Sequence, residues 1–184
     1  MKRGFTIVEL LMVIGIISVL LTIVTYASLG SLRAMRMQRA EAGKRIIQQG
    51  LATYYAQKGY WPGEIGSKIK NGGLETTETA YELSAEAISG MMRDLIAETK
   101  KGNPMLDFSG LFVSRSSGEF GTKGHGLDFW SAVRGTKRSP KKMTVSQMHF
   151  GYADPYDVRG YFRRYRVVYS VPGDEMMVKT FYEK

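Results

Sequence analysis

Apolar and polar positions follow three different rhythms along this chain. From Phe5 to Leu29 almost every position is apolar, and the stretch from Leu10 to Val24, LLMVIGIISVLLTIV, carries no charge. One acid, Glu9, stands inside the run. The second rhythm follows: Ala40, Gly43, Ile47, Leu51 and Tyr54 recur at three or four residues and form one apolar stripe. Arg39, Glu41, Lys44, Arg45, Gln48 and Gln49 fall largely on the remaining faces. Proline is absent from Phe5 to Tyr60. The two stretches together predict one helix from about Phe5 to about Gln57, roughly 80 Å long at ~1.5 Å per residue. Gly15, Gly30, Gly43 and Gly50 each weaken it by ~1 kcal/mol relative to Ala, and Gly30 marks a candidate bend. The segment Lys58-Gly59-Tyr60-Trp61-Pro62-Gly63 ends it, with Gly59 suited to a left-handed cap and Pro62 blocking continuation.

A second helix is predicted from about Thr79 to Lys100. Thr79 and Glu82 have capping-box spacing, and Ile88, Met91, Met92, Leu95 and Ile96 form an apolar face that reads as core filling. Gly102-Asn103-Pro104 stops it. Beyond Met105 the third rhythm, period two, takes over. Leu111-Phe112-Val113 is a short strand candidate, and residues 114–126 and 134–142 are loop-like. The clearest strand is Tyr161 to Val171. Tyr161, Tyr165, Val167, Tyr169 and Val171 share one face with Arg163 as the exception, while Arg164 and Arg166 point the other way. A turn at Pro172-Gly173-Asp174-Glu175 returns the chain through Met176 to Phe181. This hairpin nucleates a small antiparallel sheet packed on the long helix. The fold class is therefore α+β, with residues 59–184 as its head.

Composition adds little to that picture. The 184 residues carry 26 Lys and Arg against 17 Asp and Glu, a net charge of +9, which permits contact with anionic partners without demanding it. The absence of cysteine excludes disulfides, thiolate chemistry and Cys-based zinc sites.

The apolar run changes the picture more. Its 25 residues span roughly 37 Å as a helix, enough to cross a ~30 Å hydrocarbon layer with tilt. Lys2 and Arg3 precede it, which places the N-terminus in the cytoplasm and the head outside, although Arg33, Arg36 and Arg39 pull weakly the other way. Three readings compete. One is a secretory signal with a small-residue junction at Thr25-Tyr26-Ala27, and one is an unprocessed anchor. The third is a segment cut between Gly4 and Phe5 that keeps its apolar part. Glu9 separates them. A carboxylate toward the bilayer centre costs about 2.5–3.5 kcal/mol, and neither a signal nor an anchor gains from it. Cleavage before Phe5 creates an amine four residues from Glu9, and a neighbouring copy shifted along its axis brings its own amine to this acid. Such a pair offsets the burial of both charges and fixes the register between subunits.

The residues K-R-G-F-T-I-V-E-L-L-M-V-I-G-I-I-S-V-L resemble the N-terminus of type IV pilins and type II secretion pseudopilins. The strong resemblance covers about residues 1–30. It implies that residues 1–4 are a leader, that prepilin peptidase cuts between Gly4 and Phe5, that Phe5 is N-methylated and that Glu9 is the assembly residue. It implies residues 5–29 as the transmembrane and assembly half of the helix and 30–58 as its amphipathic half. A looser resemblance extends to about residue 63, where LATYYAQKGYWPG is similar to the helix end of major pseudopilins. Asp154-Pro155-Tyr156…Gly160-Tyr161 is similar to the segment leading into their sheet, with Tyr in place of Trp and residues inserted before the Gly. Their Asp-rich calcium loop has no counterpart, and no cofactor or metal is expected. The implied partners are further copies of the chain, other pseudopilins, the peptidase, the inner-membrane assembly platform and the membrane itself. The implied location is the inner membrane, single pass, with a periplasmic head, and then a pseudopilus.

Catalytic signatures are missing. There is neither G-x-S-x-G nor a phosphate loop, and the two histidines, His125 and His149, read as unpaired surface residues. Asp174-Glu175 reads as ordinary turn charge. The basic segment Arg134–Lys142, with Phe129 and Trp130 beside it, has the composition of a phosphate-contacting loop, but a short basic loop is most simply solvated, and nucleic acid is not an expected partner.

Overall fold

A computed structural model describes residues 6–63, 80–102, 105–114, 126–135, 142–157 and 159–183. The chain divides into two compact units, residues 1–35 and 36–184.

The first helix, α1 (Ile7–Lys58), follows the expected span to within two residues at each end. Its part in the first unit buries none of its described side chains: Ile7 is 80 % exposed and Leu20 55 %. Four of its hydroxyls are nevertheless satisfied within the helix. Ser18, Thr22, Thr25 and Ser28 donate to the carbonyls of Ile14, Ser18, Leu21 and Val24 at 2.7–2.8 Å. Between Leu10 and Val24, where no residue is charged, a helix that closes its hydroxyls on its own carbonyls and turns mainly carbon outward suits an apolar solvent.

In the second unit the expected stripe is the buried face of α1. Ala40, Gly43, Ile47, Leu51 and Tyr54 are buried, and Gly50 joins them. Two of the glycines are there for close approach. A Cβ on Gly43 would strike the hydroxyl of Tyr165, and one on Gly50 would lie 2.7 Å from the Met105 carbonyl. The ~1 kcal/mol of helix propensity each forgoes is offset by that packing. Gly59 caps α1 with φ 72° and donates its N–H to the Tyr55 carbonyl at 2.8 Å, as the sequence predicts.

The head carries two antiparallel sheets. One has the order β1 (Ala80–Glu82), β6 (Arg166–Ser170), β7 (Glu175–Lys179). The other has the order β3 (Leu127–Asp128), β2 (Phe112–Ser114), β4 (His149–Ala153), β5 (Phe162–Arg164). Among the described residues the head also has the helices α2 (Ala85–Lys100) and α3 (Phe129–Arg134). Val168 faces Met177 across the first sheet and Val113 faces Phe150 across the second. Met91, Met92, Leu95 and Ile96 of α2 belong to the same buried cluster as Ile47 and Leu51, so the methionines are core filling as expected. The free edge of β7 is covered by α1: the Gln48 amide donates to the Met176 carbonyl and accepts from the Val178 N–H, both at 2.7 Å.

Two expectations are corrected. The strand expected from Tyr161 to Val171 is two strands in different sheets, broken at Tyr165. Burial at Phe162 and next at Tyr165 is a gap of three, which breaks the period of two. There the backbone turns from one sheet to the other, while the Tyr165 hydroxyl donates to the Ala40 carbonyl at 2.8 Å. The helix expected from Thr79 begins instead at Ala85, with Ser84 as its cap, accepting from the Ala87 N–H at 3.2 Å. Ala80–Glu82 pairs with Val168–Ser170 as a strand, and Arg166 donates from Nε and Nη2 to the two oxygens of the Glu82 carboxylate. Ladder bonds and this ion pair outweigh a capping box whose Thr79 lies outside the described residues. The strand expected at Leu111 starts one residue later, and the return strand ends at Lys179. Most of the two expected loops also lies outside the described residues, although Ser114 ends β2 and Arg134 ends α3.

Candidate assembly site

Gly4 and Phe5 lie outside the described residues, so the site is built from Thr6 onward. Thr6 caps α1. Its hydroxyl accepts from the Glu9 N–H at 3.3 Å, while its own N–H and hydroxyl both donate to Glu9 Oε2 at 2.9 Å. This is a reciprocal capping box, Thr-x-x-Glu, which satisfies two backbone donors of the first turn. The spacing of Thr6 and Glu9 is the sequence signature of this box, set inside an apolar run. Among the described residues, Glu9 Oε1 accepts no hydrogen bond. A carboxylate has roughly four lone-pair sites, so one oxygen serves the cap and the other stays available to a cation. Around this acid, the side chains from Ile7 to Val24 form a continuous exposed apolar surface.

The head holds two carboxylate hubs. Asp174 lies in the β6–β7 turn with φ 44°. It accepts from the Tyr55 hydroxyl at 2.5 Å, the Trp61 indole N–H at 2.8 Å and the Tyr169 hydroxyl at 2.9 Å. Tyr55 and Trp61 stack at 4.4 Å. The turn acid thus ties the end of α1 to the hairpin. Burial raises its carboxyl, but the three donors outweigh burial and hold it below its ordinary value. Asp154 is 1 % exposed. It accepts from Arg163 Nε at 2.7 Å, from the Tyr182 hydroxyl at 2.8 Å and from the Tyr156 N–H at 2.8 Å. Burial again opposes ionisation, and Arg163, Tyr182 and the Tyr156 amide again prevail. Neither hub has the geometry of a catalytic pair: each acid faces donors that hold it ionised and fixed. Burial pushes the hydroxyl of Tyr152 up to about 12.

The remaining candidates separate. His149 is half-buried in β4 rather than a surface residue, and burial followed by the charge of Arg164 holds it below its ordinary value. His125 lies outside the described residues. Phe129 is buried and stacked on Phe108 at 4.5 Å, which removes it as a stacking platform, whereas Trp130 is exposed with the Arg134 guanidinium 5.5 Å over its ring. Among the described residues no group of three His, Cys, Asp or Glu is placed to hold a metal.

Comparison with known proteins adds one finding. No curated protein and no solved structure matches the chain. Residues 1–25 match the family described as the prokaryotic N-terminal methylation motif, and this prepilin-type motif, together with the long apolar helix that follows it, supports a membrane-anchored, type IV pilin-like subunit processed by prepilin peptidase.

Proposed function

We propose that the protein is a structural subunit of a periplasmic pseudopilus, most simply one serving type II protein secretion. Prepilin peptidase cuts between Gly4 and Phe5 and methylates Phe5, and the mature chain polymerises through α1. The observation that carries this reading is the pairing of the methylation motif at residues 1–25 with an apolar helix half on which no described side chain is buried. A surface of this kind needs lipid before assembly and other copies of itself afterward. Contacts of one face with a different face of the next copy do not close, and so build a filament. Glu9 Oε1 receives the Phe5 amine of a neighbouring subunit while Oε2 keeps the Thr6 cap. A type IV pilin or a DNA-uptake pseudopilin uses the same segment in the same way.

A membrane-anchored binding module that never polymerises is the reading of another class. Glu9→Gln separates the two, because glutamine also serves in a capping box and the helix start survives while the charge is lost. The polymer reading expects this variant to stay in the membrane fraction, be cleaved normally and yield fibres at least tenfold less abundant. Normal function of the variant would favour the binding module.

A further inference from the structure

Arg36 opens the second unit and is the first half-buried residue of α1. Its guanidinium enters the turn that joins β4 to β5. Nη1 donates to the Asp157 carbonyl at 2.7 Å, with the Asp154 carbonyl at 3.4 Å. The same group lies against the backbone of Gly160: a Cβ built there would stand 2.7 Å from Arg36 Cζ, 2.9 Å from Nη2 and 3.0 Å from Nη1. Cζ is nearer than either nitrogen, so the flat face of the guanidinium meets this glycine. Gly160 also has φ 64°, so the position calls for glycine twice, for its backbone and for the space above it. The turn folds round that space by its own bonds. The Gly160 N–H donates to the Asp157 carbonyl at 2.8 Å, and the Asp154 N–H donates to the Tyr161 carbonyl at 2.7 Å across the neck. The acids of the turn are engaged elsewhere: the Asp154 carboxylate accepts from Arg163 and Tyr182, and Asp157 Oδ1 accepts from the Arg159 N–H at 2.7 Å.

We infer that this turn is a cation-binding clasp whose resident cation is the Arg36 guanidinium, and that it stays closed only while a planar cation fills it. Two carbonyl oxygens that converge on one nitrogen repel each other when nothing positive lies between them. A charged donor gives each of them a stronger bond than a neutral one would. The planar shape matters as well: a guanidinium donates at its edge while its face rests on Gly160, whereas a compact ion covers one need only. The effect of the clasp reaches beyond the turn. Asp154, at its neck, also holds the Tyr156 N–H, Arg163 of β5 and the Tyr182 hydroxyl. One internal cation thus fixes the residue at which α1 joins the head. The clasp belongs to the head alone and is independent of how subunits assemble.

Chemical rescue of the full-length protein in detergent tests the clasp. Arg36→Ala should speed amide exchange at Gly160 and Asp154 about tenfold, while the amide of Val178, which donates to Gln48 in the other sheet, keeps its rate. Free guanidinium chloride at about 20 mM should then restore most of the lost protection and raise the melting temperature of the variant, although the same ion destabilises proteins in general. The unaltered protein should gain nothing from it, and sodium chloride or urea at the same concentration should restore nothing. If Arg36→Ala is too unstable for exchange to be followed, its melting temperature decides alone, and guanidinium must raise it. Unchanged exchange at Gly160 in Arg36→Ala would overturn the clasp, and so would a variant that guanidinium fails to restore. Restoration by calcium chloride to the same degree would overturn the choice of a planar cation.

Discussion

The two parts of α1 share one backbone geometry and put it to opposite uses. In residues 36–58 the apolar residues keep to one stripe, and that stripe is buried. In residues 7–35 apolar residues surround the helix, and every described side chain is exposed. A stripe finds its counterpart within the chain, whereas a helix apolar on all sides has no single face to offer and belongs to a different solvent or to neighbouring helices. The pattern of hydrophobicity, more than its amount, tells which surfaces the chain itself covers.

Substitution of like residues in the two parts tests that comparison. The largest contrast is Leu51→Ala against Leu20→Ala. Leu51 is fully buried, and its truncation should cost about 2–5 kcal/mol, a large share of the stability of an ordinary domain. Leu20→Ala should leave the melting of the head, followed by near-ultraviolet circular dichroism of the full chain in detergent, within about 0.5 kcal/mol. Asp174→Ala comes next. It strands the Trp61 indole, Tyr55 and Tyr169 without their acceptor and should cost about 2–3 kcal/mol, with Trp61 emission shifting to the red. Gly43→Ala against Gly30→Ala is a smaller pair. Gly43 is pressed by Tyr165, so an added methyl should destabilise the head by about 1–3 kcal/mol. Gly30 has nothing within 4 Å, and the same change should leave the head unaltered and strengthen the helix by up to ~1 kcal/mol. The smallest effect is acid titration. Asp154 and Asp174 are held below their ordinary values, so their stabilisation is complete above the unfolded value of about 3.9 and is lost as pH falls through the folded values. The head should therefore lose stability below about pH 4, and Asp154→Asn should make that loss shallower while the first half of α1 stays helical.

Much of this was legible in the sequence, because spacing of three and four records which face of a helix is covered. Ala40, Gly43, Ile47, Leu51 and Tyr54 are all buried, and Gly59 adopts the left-handed cap its position called for. What escaped depended on partners distant in the chain. Ala80–Glu82 has the local look of a helix start, and only Val168–Ser170 makes it a strand. The switch of sheets at Tyr165 hides in an almost continuous alternation, betrayed by Phe162 falling out of phase. Asp174 looks like ordinary turn charge until Tyr55 and Trp61 converge on it from more than a hundred residues away. At the assembly segment the acid stands out against its apolar neighbours, whereas its bond with Thr6 shows only in the structure, because the apolar run masks the Thr-x-x-Glu spacing.

The central proposal is that the mature chain begins at Phe5 with a free, methylated amine that a neighbour's Glu9 receives. Intact-mass and fragmentation spectrometry of the protein taken from native membranes tests it most directly. The account predicts a chain starting at Phe5 and one methyl group heavier than its sequence. A chain that retains residues 1–4, or one that starts at Ser28, would contradict it.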